Sequence, residues 1–325
     1  MSENLDKRIL ITGGAGFIGS NIADYLVANN FRHITVLDNL ETGNINNIQA
    51  HIDSKKIQFI EGSICNYETC LSATKNQDII LHQAALGSVP RSIVNPLATH
   101  QTNVTGFVNI LEAARQNKVG RVVYASSSSV YGDDLNMPKK EEIVGNPLSP
   151  YAVSKKTNEL YAAVFASTYQ MEITGLRYFN VFGPKQNPAG PYAAVIPIFV
   201  DKLLNKVSPT IYGDGTNTRD FTYVENVIQA NLLAAFTQDK TAVNQVYNIA
   251  YGATTSLNKL FELIATDLKS DVKVIYGDKR AGEIKDSFAS IDKAKKLLDY
   301  KPQVSLEEGI KKSIVWYKEN NLRRN

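Results

Sequence analysis

Two patterns of hydrophobic and polar positions alternate along the first half of the chain. The β-branched runs "RILIT", "HITVLD", "IQFIEG", "DIILHQAA", "RVVYAS" and "EITGLRYFN" carry little polar interruption. The stretches between them, such as "IGSNIADYLVANN" and "TGFVNILEAARQNK", space their apolar residues as one face of a helix does. Uninterrupted strands alternating with helices predict an α/β fold, a Rossmann-type doubly wound parallel sheet covered on both faces. Beyond about Phe179 the alternation fails and Gly and Pro crowd into "FGPKQNPAGPY" and "YGDGTNTRD". Helical spacing resumes in "YVENVIQANLLAAF", "SLNKLFELIATDLK" and "SLEEGIKKSIVWYKE". The reading is a nucleotide-binding domain over 1–178, to which a segment near 222–250 returns, and a smaller, mainly substrate-binding domain over 179–325.

Composition adds exclusions. With 325 residues, 43% hydrophobic and 21% charged, the chain is an ordinary globular one, long enough for one large or two modest domains. Its net charge of +3 comes from 35 basic and 32 acidic residues spread along the chain, so nucleic acid is not an expected partner. The polar start "MSENLDKRIL" has no signal core, and no segment approaches the ~18 consecutive apolar residues of a membrane helix. A soluble cytoplasmic protein with no membrane partner is expected. Cys65 and Cys70 are too far apart for a CxxC pair and lack His or Cys neighbours, which leaves two inert thiols and no metal site.

The candidate chemistry begins in "ILITGGAGFIGSNIADYL". Gly14, Gly16 and Gly19 fit G-x-G-x-x-G between a strand and a helix, and Gly13 extends the run. There, backbone N–H groups at a helix N-terminus can cradle a pyrophosphate. The second strand ends at Asp38, 19 residues beyond Gly19, where an acid binds a ribose 2′-hydroxyl and repels a 2′-phosphate. NAD is therefore favoured over NADP. Downstream, "NPLSPYAVSKKTNEL" opens a helix with Ser149 as cap and Pro150 as first residue, placing Tyr151 and Lys155 on one face. A phenol is a poor base at neutral pH, but a lysine ammonium and a cationic nicotinamide nearby would favour its phenolate, an arrangement suited to hydride transfer at a carbinol carbon. Ser126 to Ser129 end a core strand, where ligands meet a parallel sheet. His82 and Trp316 read as packing residues.

These motifs resemble the extended short-chain dehydrogenase/reductase family, and within it the UDP-hexose 4-epimerases. "TGGAGFIGSN", "LDNLETG", "LHQAA", "TNVTG", "SSSSVYG", "SPYAVSK", "LRYFNVFGP", "GDGTNTRDFTYVENV" and "VYNIAYG" fall in that family's order over nearly the whole chain. The resemblance implies Ser127, Tyr151 and Lys155 as catalytic residues. It implies NAD held by Gly13, Gly16, Phe17, Ile18, Gly19, Asp38, Asn39, Ser63, Ile64, Gln83, Ala84, Ala85, Asn103 and Tyr178, together with Tyr151 and Lys155. A UDP-sugar would meet Ser88, Ser127, Ser128, Ser129, Tyr151, Asn180, Ala194, Val195, Tyr212, Arg219, Arg280, Glu283 and Ser287. A homodimer built on the helices near 104–116 and 151–169 is also implied. One departure stands out: "EGSIC" puts Ser63 where the family commonly carries an acid for the adenine amino group.

The family's 4,6-dehydratases need an Asp-Glu pair directly after the catalytic Ser or Thr. Ser128 and Ser129 stand there instead, and a decarboxylase's Glu is missing too. What remains is oxidation at C4, reorientation of the 4-keto sugar and return of the hydride to its other face. Ser287 aligns with the position lining the hexose pocket, where a bulky Tyr would crowd the C2 substituent and a Ser leaves room for an acetamido group. The expectation is interconversion of UDP-N-acetylglucosamine and UDP-N-acetylgalactosamine, with UDP-glucose and UDP-galactose handled less well. The alternatives are a 4-epimerase of 2-acetamido uronic acids, a plain UDP-glucose 4-epimerase, and a non-catalytic NAD-binding sensor.

Overall fold

The computed structural model describes residues 2–188, 193–279 and 285–321. Arg280 and Glu283 lie outside the described residues.

Seven parallel strands form the central sheet: β1 (Arg8–Thr12), β2 (His33–Asp38), β3 (Ile57–Glu61), β4 (Ile79–His82), β5 (Arg121–Ser127), β6 (Ile173–Tyr178) and β7 (Val246–Ile249), in the order β7-β6-β5-β4-β1-β2-β3. In the inner strands the lack of alternation follows from burial on both faces, since Ile9, Leu10, Ile11 and Thr12 of β1 are all fully buried, whereas the edge strand β3 exposes Gln58 and Glu61. One face carries the helix Phe17–Ala28 (α1) and the helix Val224–Phe236, whose Ile22, Leu26, Val227 and Ala234 pack with Ile9, Ile11 and Leu81. The other carries the helices Gly106–Gln116 and Pro150–Tyr169, through Phe107, Ile110, Leu111, Ala162 and Phe165. "EITGLRYFN" stops as a strand at Tyr178, because Asn180 turns to φ +33°.

β1 pairs in register with both β2, Thr12 opposite Leu37, and β4, Thr12 opposite His82. Strand order reverses direction at β1, so a crevice opens beyond the carboxyl ends of β1 and β4, where open α/β sheets bind ligands. A third core, around Phe199, Leu203, Leu260, Ile264, Ile310 and Ile314, joins the helices Val195–Leu204, Leu257–Leu268 and Leu306–Asn321. Trp316 packs at its edge. Among the described residues no helix is long and apolar enough to cross a membrane.

Candidate active site

A cleft of about 330 Å³ occupies that crevice. Gly13, Gly16, Phe17, Ile18, Gly19, Asp38, Asn39, Ser63, Ile64, Gln83, Ala84 and Ala85 line it. Gly13, Gly16 and Gly19, the glycines that the resemblance assigned to the cofactor, all line the cleft, whereas Gly14 of the G-x-G-x-x-G pattern faces Val36. Gly13 has φ +68°, and a Cβ there would lie 2.7 Å from the Ala84 backbone. A Cβ on Gly19 would lie 2.3 Å from the Gly13 carbonyl oxygen. The absence of side chains thus lets α1 begin directly against the strand end, with its first residues, Phe17, Ile18 and Gly19, lining the cleft. That cradle fits the pyrophosphate of a dinucleotide.

Asp38 lines the cleft while holding its shape. Its Oδ2 accepts the Ala15 N–H at 2.9 Å and its Oδ1 accepts the Leu40 N–H at 2.8 Å. Each carboxylate oxygen keeps lone-pair capacity for a ribose hydroxyl. Ser63 Oγ accepts the Cys65 N–H at 3.2 Å and faces the same cleft. Glu41, Thr42, Gly62, Leu86, Gly87 and Thr102 also line it, and sequence reasoning missed them. Thr42 and Thr102 lie in quoted motifs, "LDNLETG" and "TNVTG", but no spacing rule singles out a threonine.

Four residues assigned to the cofactor, Asn103, Tyr178, Tyr151 and Lys155, are not among those that line the cleft. Asn103 sits in a π-helical turn, Gln101–Thr105, where the widened backbone turns its side chain inward. Its Oδ1 accepts the Leu86 N–H at 2.8 Å, and its Nδ2 donates to the Leu86 carbonyl at 3.1 Å and to Ser154 Oγ at 3.1 Å. Asn103 therefore ties the cleft wall to the helix of Tyr151 and Lys155. Tyr178 stands behind Gln83, donating to its Oε1 at 3.1 Å and accepting from Asn231 Nδ2 at 2.8 Å.

The proton-handling residues meet at the end of β5. Ser149 Oγ accepts the Ala152 N–H at 3.1 Å and caps the helix Pro150–Tyr169, fixing where Tyr151 emerges. The Tyr151 phenol lies near the Ser127 side chain. Burial pushes that phenol's pKa up, and the nearby Ser127 hydroxyl acts in the opposite direction. Lys155, 3% exposed, donates from Nζ to the Ala125 carbonyl at 2.8 Å, and burial lowers its pKa to about 8. His82 Nδ1 is 2.8 Å from Thr12 Oγ1 and its ring packs on Phe107. Burial and the Lys155 charge depress its pKa to about 3, so it stays neutral. Of the four serines, Ser126 turns away from the crevice, donating to Glu159 Oε1 at 2.7 Å. Ser127 Oγ accepts the Ser129 N–H at 3.2 Å and starts the tight turn Ser128–Tyr131, in which Ser129 Oγ is buried without a hydrogen-bond partner among the described residues.

Among residues expected to meet the sugar nucleotide, the structure joins three. Asp286–Ser287 pairs in parallel with Thr218–Arg219, setting Ser287 opposite Arg219. Asn180 Nδ2 donates to the carbonyl of the next residue, Asp220, at 3.1 Å. Ala194 and Val195 begin the helix Val195–Leu204, Tyr212 ends the strand Thr210–Tyr212, and Ser88, at φ +102°, caps the helix Val89–Val94.

A glycine cradle closed by a ribose-side acid, with a tyrosine, lysine and serine at the neighbouring strand end, defines a dinucleotide-dependent protein of the extended short-chain dehydrogenase/reductase class. The NAD dependent epimerase/dehydratase family profile matches residues 9–250, and the chain belongs to that family. A UDP-glucose 4-epimerase of Mycolicibacterium smegmatis is 34% identical over 313 residues, 96% of this chain and 98% of that one. The structure of a UDP-N-acetylglucosamine 4-epimerase from Methanobrevibacter ruminantium, solved with UDP-N-acetylmuramic acid, is 39% identical and superposes with a TM-score of 0.91, covering 97% of this chain and 99% of its own. A Thermus thermophilus UDP-glucose 4-epimerase solved with NAD is 32% identical, with a TM-score of 0.86 and coverage of 96% and 99%.

Proposed function

We propose that this chain is a 4-epimerase that interconverts UDP-N-acetylglucosamine and UDP-N-acetylgalactosamine. The observation that carries the reading is the meeting of Ser127 with the Tyr151–Lys155 helix at the end of β5, beside a turn whose next two side chains are hydroxyls, not carboxylates. Hydroxyls cannot serve as the acid and base that eliminate water from the sugar. One proton at the sugar 4-oxygen can be handled by the residues present: Tyr151 takes it and returns it, Ser127 orients that oxygen, and Lys155 lies one helical turn away on the same face. NAD, when bound, supplies the hydride acceptor and donor at C4. The glycine cradle, Asp38, Ser63 and Ile64 hold the cofactor, with Tyr178 bracing Gln83 and Asn103 bracing Leu86 on the opposite wall. Arg219, Asn180 and the helix start at Ala194 and Val195 are assigned to the UDP moiety.

The acetamido preference is supported by Ser287, a small residue opposite Arg219, and by the Methanobrevibacter relative's name. The names of the other two relatives favour a second reading, UDP-glucose as the principal substrate. The homodimer is supported by Val153, Leu160, Tyr161 and Val164, an apolar stripe left exposed along the helix Pro150–Tyr169.

The test is to incubate the purified protein with UDP-N-acetylglucosamine, without added cofactor, and follow the anomeric protons by NMR beside a UDP-glucose sample. The proposal expects UDP-N-acetylgalactosamine to appear, faster than galactose is formed. Ser287→Tyr should reverse the order by excluding the acetamido substrate. No product even after NAD is added would refute the N-acetylhexosamine assignment. Full turnover by Tyr151→Phe, where a loss of several orders of magnitude is expected, would refute the role of the tyrosine.

A further inference from the structure

Tyr151, Lys155 and Glu159 recur every fourth residue on the helix Pro150–Tyr169, so Glu159 continues their stripe toward the sheet. It is 7% exposed and meets Arg177 of β6, 3% exposed, in a two-pronged pair: Nε to Oε1 at 2.8 Å and Nη2 to Oε2 at 2.9 Å. The same carboxylate accepts the Ser126 hydroxyl at 2.7 Å. On its other side Arg177 Nη1 donates to Tyr131 Oη at 2.9 Å and to the Glu141 carbonyl at 3.1 Å, and Tyr131 donates to Asn248 Oδ1 at 2.6 Å. Lys156 approaches the pair from the helix, with Nζ 3.7 Å from Glu159 Oε2. The serine turn is thus held at both ends by one ion pair, through Ser126 before it and Tyr131 at its close. Among the described residues neither Glu159 nor Arg177 lines the cleft.

We propose that Glu159 and Arg177 are positioning residues that lock the register of the Tyr151 helix against the serine turn, and so set the separation of the Ser127 hydroxyl from the Tyr151 phenol. The inference rests on the proposed roles of Ser127 and Tyr151. A buried guanidinium–carboxylate fork suits the task because it fixes both direction and distance, which a lysine's point charge does not. With the fork loosened, the helix keeps its apolar packing but the phenol and the serine hydroxyl lose their fixed separation.

The variants are Glu159→Gln, Arg177→Lys and, should either fail to fold, Ser126→Ala, which removes only one hydrogen bond. Two quantities are read on the NAD-loaded protein. The first is kcat and KM for whichever UDP-sugar the wild type turns over. The second is the pH titration of the Tyr151 ring carbon by carbon-13 tyrosine NMR, assigned with Tyr151→Phe. The expected result is a kcat lowered toward the ~100-fold loss that an ångström of misplacement brings, a KM within about threefold of wild type, and a Tyr151 titration moved to higher pH. Ser126→Ala should move both in the same direction by less. Folded variants that keep the wild-type kcat and the wild-type Tyr151 titration overturn the proposal. Because the titration needs no substrate, it stands apart from the sugar assignment: active Tyr151→Phe would sink the assigned role of the tyrosine while a shifted titration still supported the positioning pair.

Discussion

Replacing Lys155 with Met should make the cofactor-free protein more stable at neutral pH while abolishing activity. Burial lowers the Lys155 pKa from 10.5 to about 8. Keeping that ammonium charged inside the fold therefore costs about 3 kcal/mol relative to the unfolded chain. Against this, Nζ donates to the Ala125 carbonyl at 2.8 Å, a bond worth about 1 kcal/mol net. Methionine matches the lysine stem in length and fills the same space without charge, so the expected gain is about 2 kcal/mol. The pH dependence has a fixed sign. Below pH 8 the lysine is charged in both states and the full penalty applies; between about 8 and 10.5 the folded protein has lost the proton and the unfolded chain has not, so wild-type stability rises with pH. The advantage of Lys155→Met should accordingly shrink from pH 7 to pH 10. Denaturant unfolding of NAD-stripped wild type and variant at pH 7, 8.5 and 10 measures the difference directly. A variant less stable than wild type at pH 7, or a difference that does not narrow as pH rises, would refute the buried-charge argument.

Two further outcomes follow from the same geometry. Gly19→Ala forces a Cβ to 2.3 Å from the Gly13 carbonyl oxygen and 2.7 Å from Gly14 Cα, so α1 must shift; the expected cost is about 1–3 kcal/mol in urea unfolding, with a lower NAD content after purification. Asp220 is fully buried, accepts the N–H groups of Tyr251 and Gly252 at 3.1 and 3.2 Å, and has its pKa raised by burial from 3.8 to about 6. Above pH 6 its charge costs about 3 kcal/mol, relieved as pH falls toward 3.8, so wild type should gain on Asp220→Asn between pH 7 and pH 4. A difference in unfolding free energy that stays flat over that range would contradict it.

The parts of this protein that were readable in its sequence are those where one residue type answers one local demand. β1, β2, β4, β5 and β6 announced themselves because strands buried on both faces tolerate little interruption, and Ser149 and Pro150 marked a helix start because cap and first turn have their own chemistry. What escaped reading depends on partners far apart in the chain. The sequence pattern put Gly14 in the phosphate loop; the structure turns it to Val36, a contact fixed only when β2 lies beside β1. Asn103 passed for a cofactor ligand because its motif stands near the site, yet its amide is committed to Leu86 and Ser154. Ser126 looked equivalent to its three neighbours until strand pleating sent its hydroxyl to Glu159, 33 residues on. Glu159 and Arg177 were silent for the same reason, since a buried ion pair has no sequence spacing of its own. In this fold the cofactor cradle is written locally, within one strand–loop–helix unit. The alignment of the proton-handling residues instead depends on contacts among β5, β6, β7 and the Tyr151 helix, so mutations that misalign the site without emptying it should lie among residues that never meet the ligand.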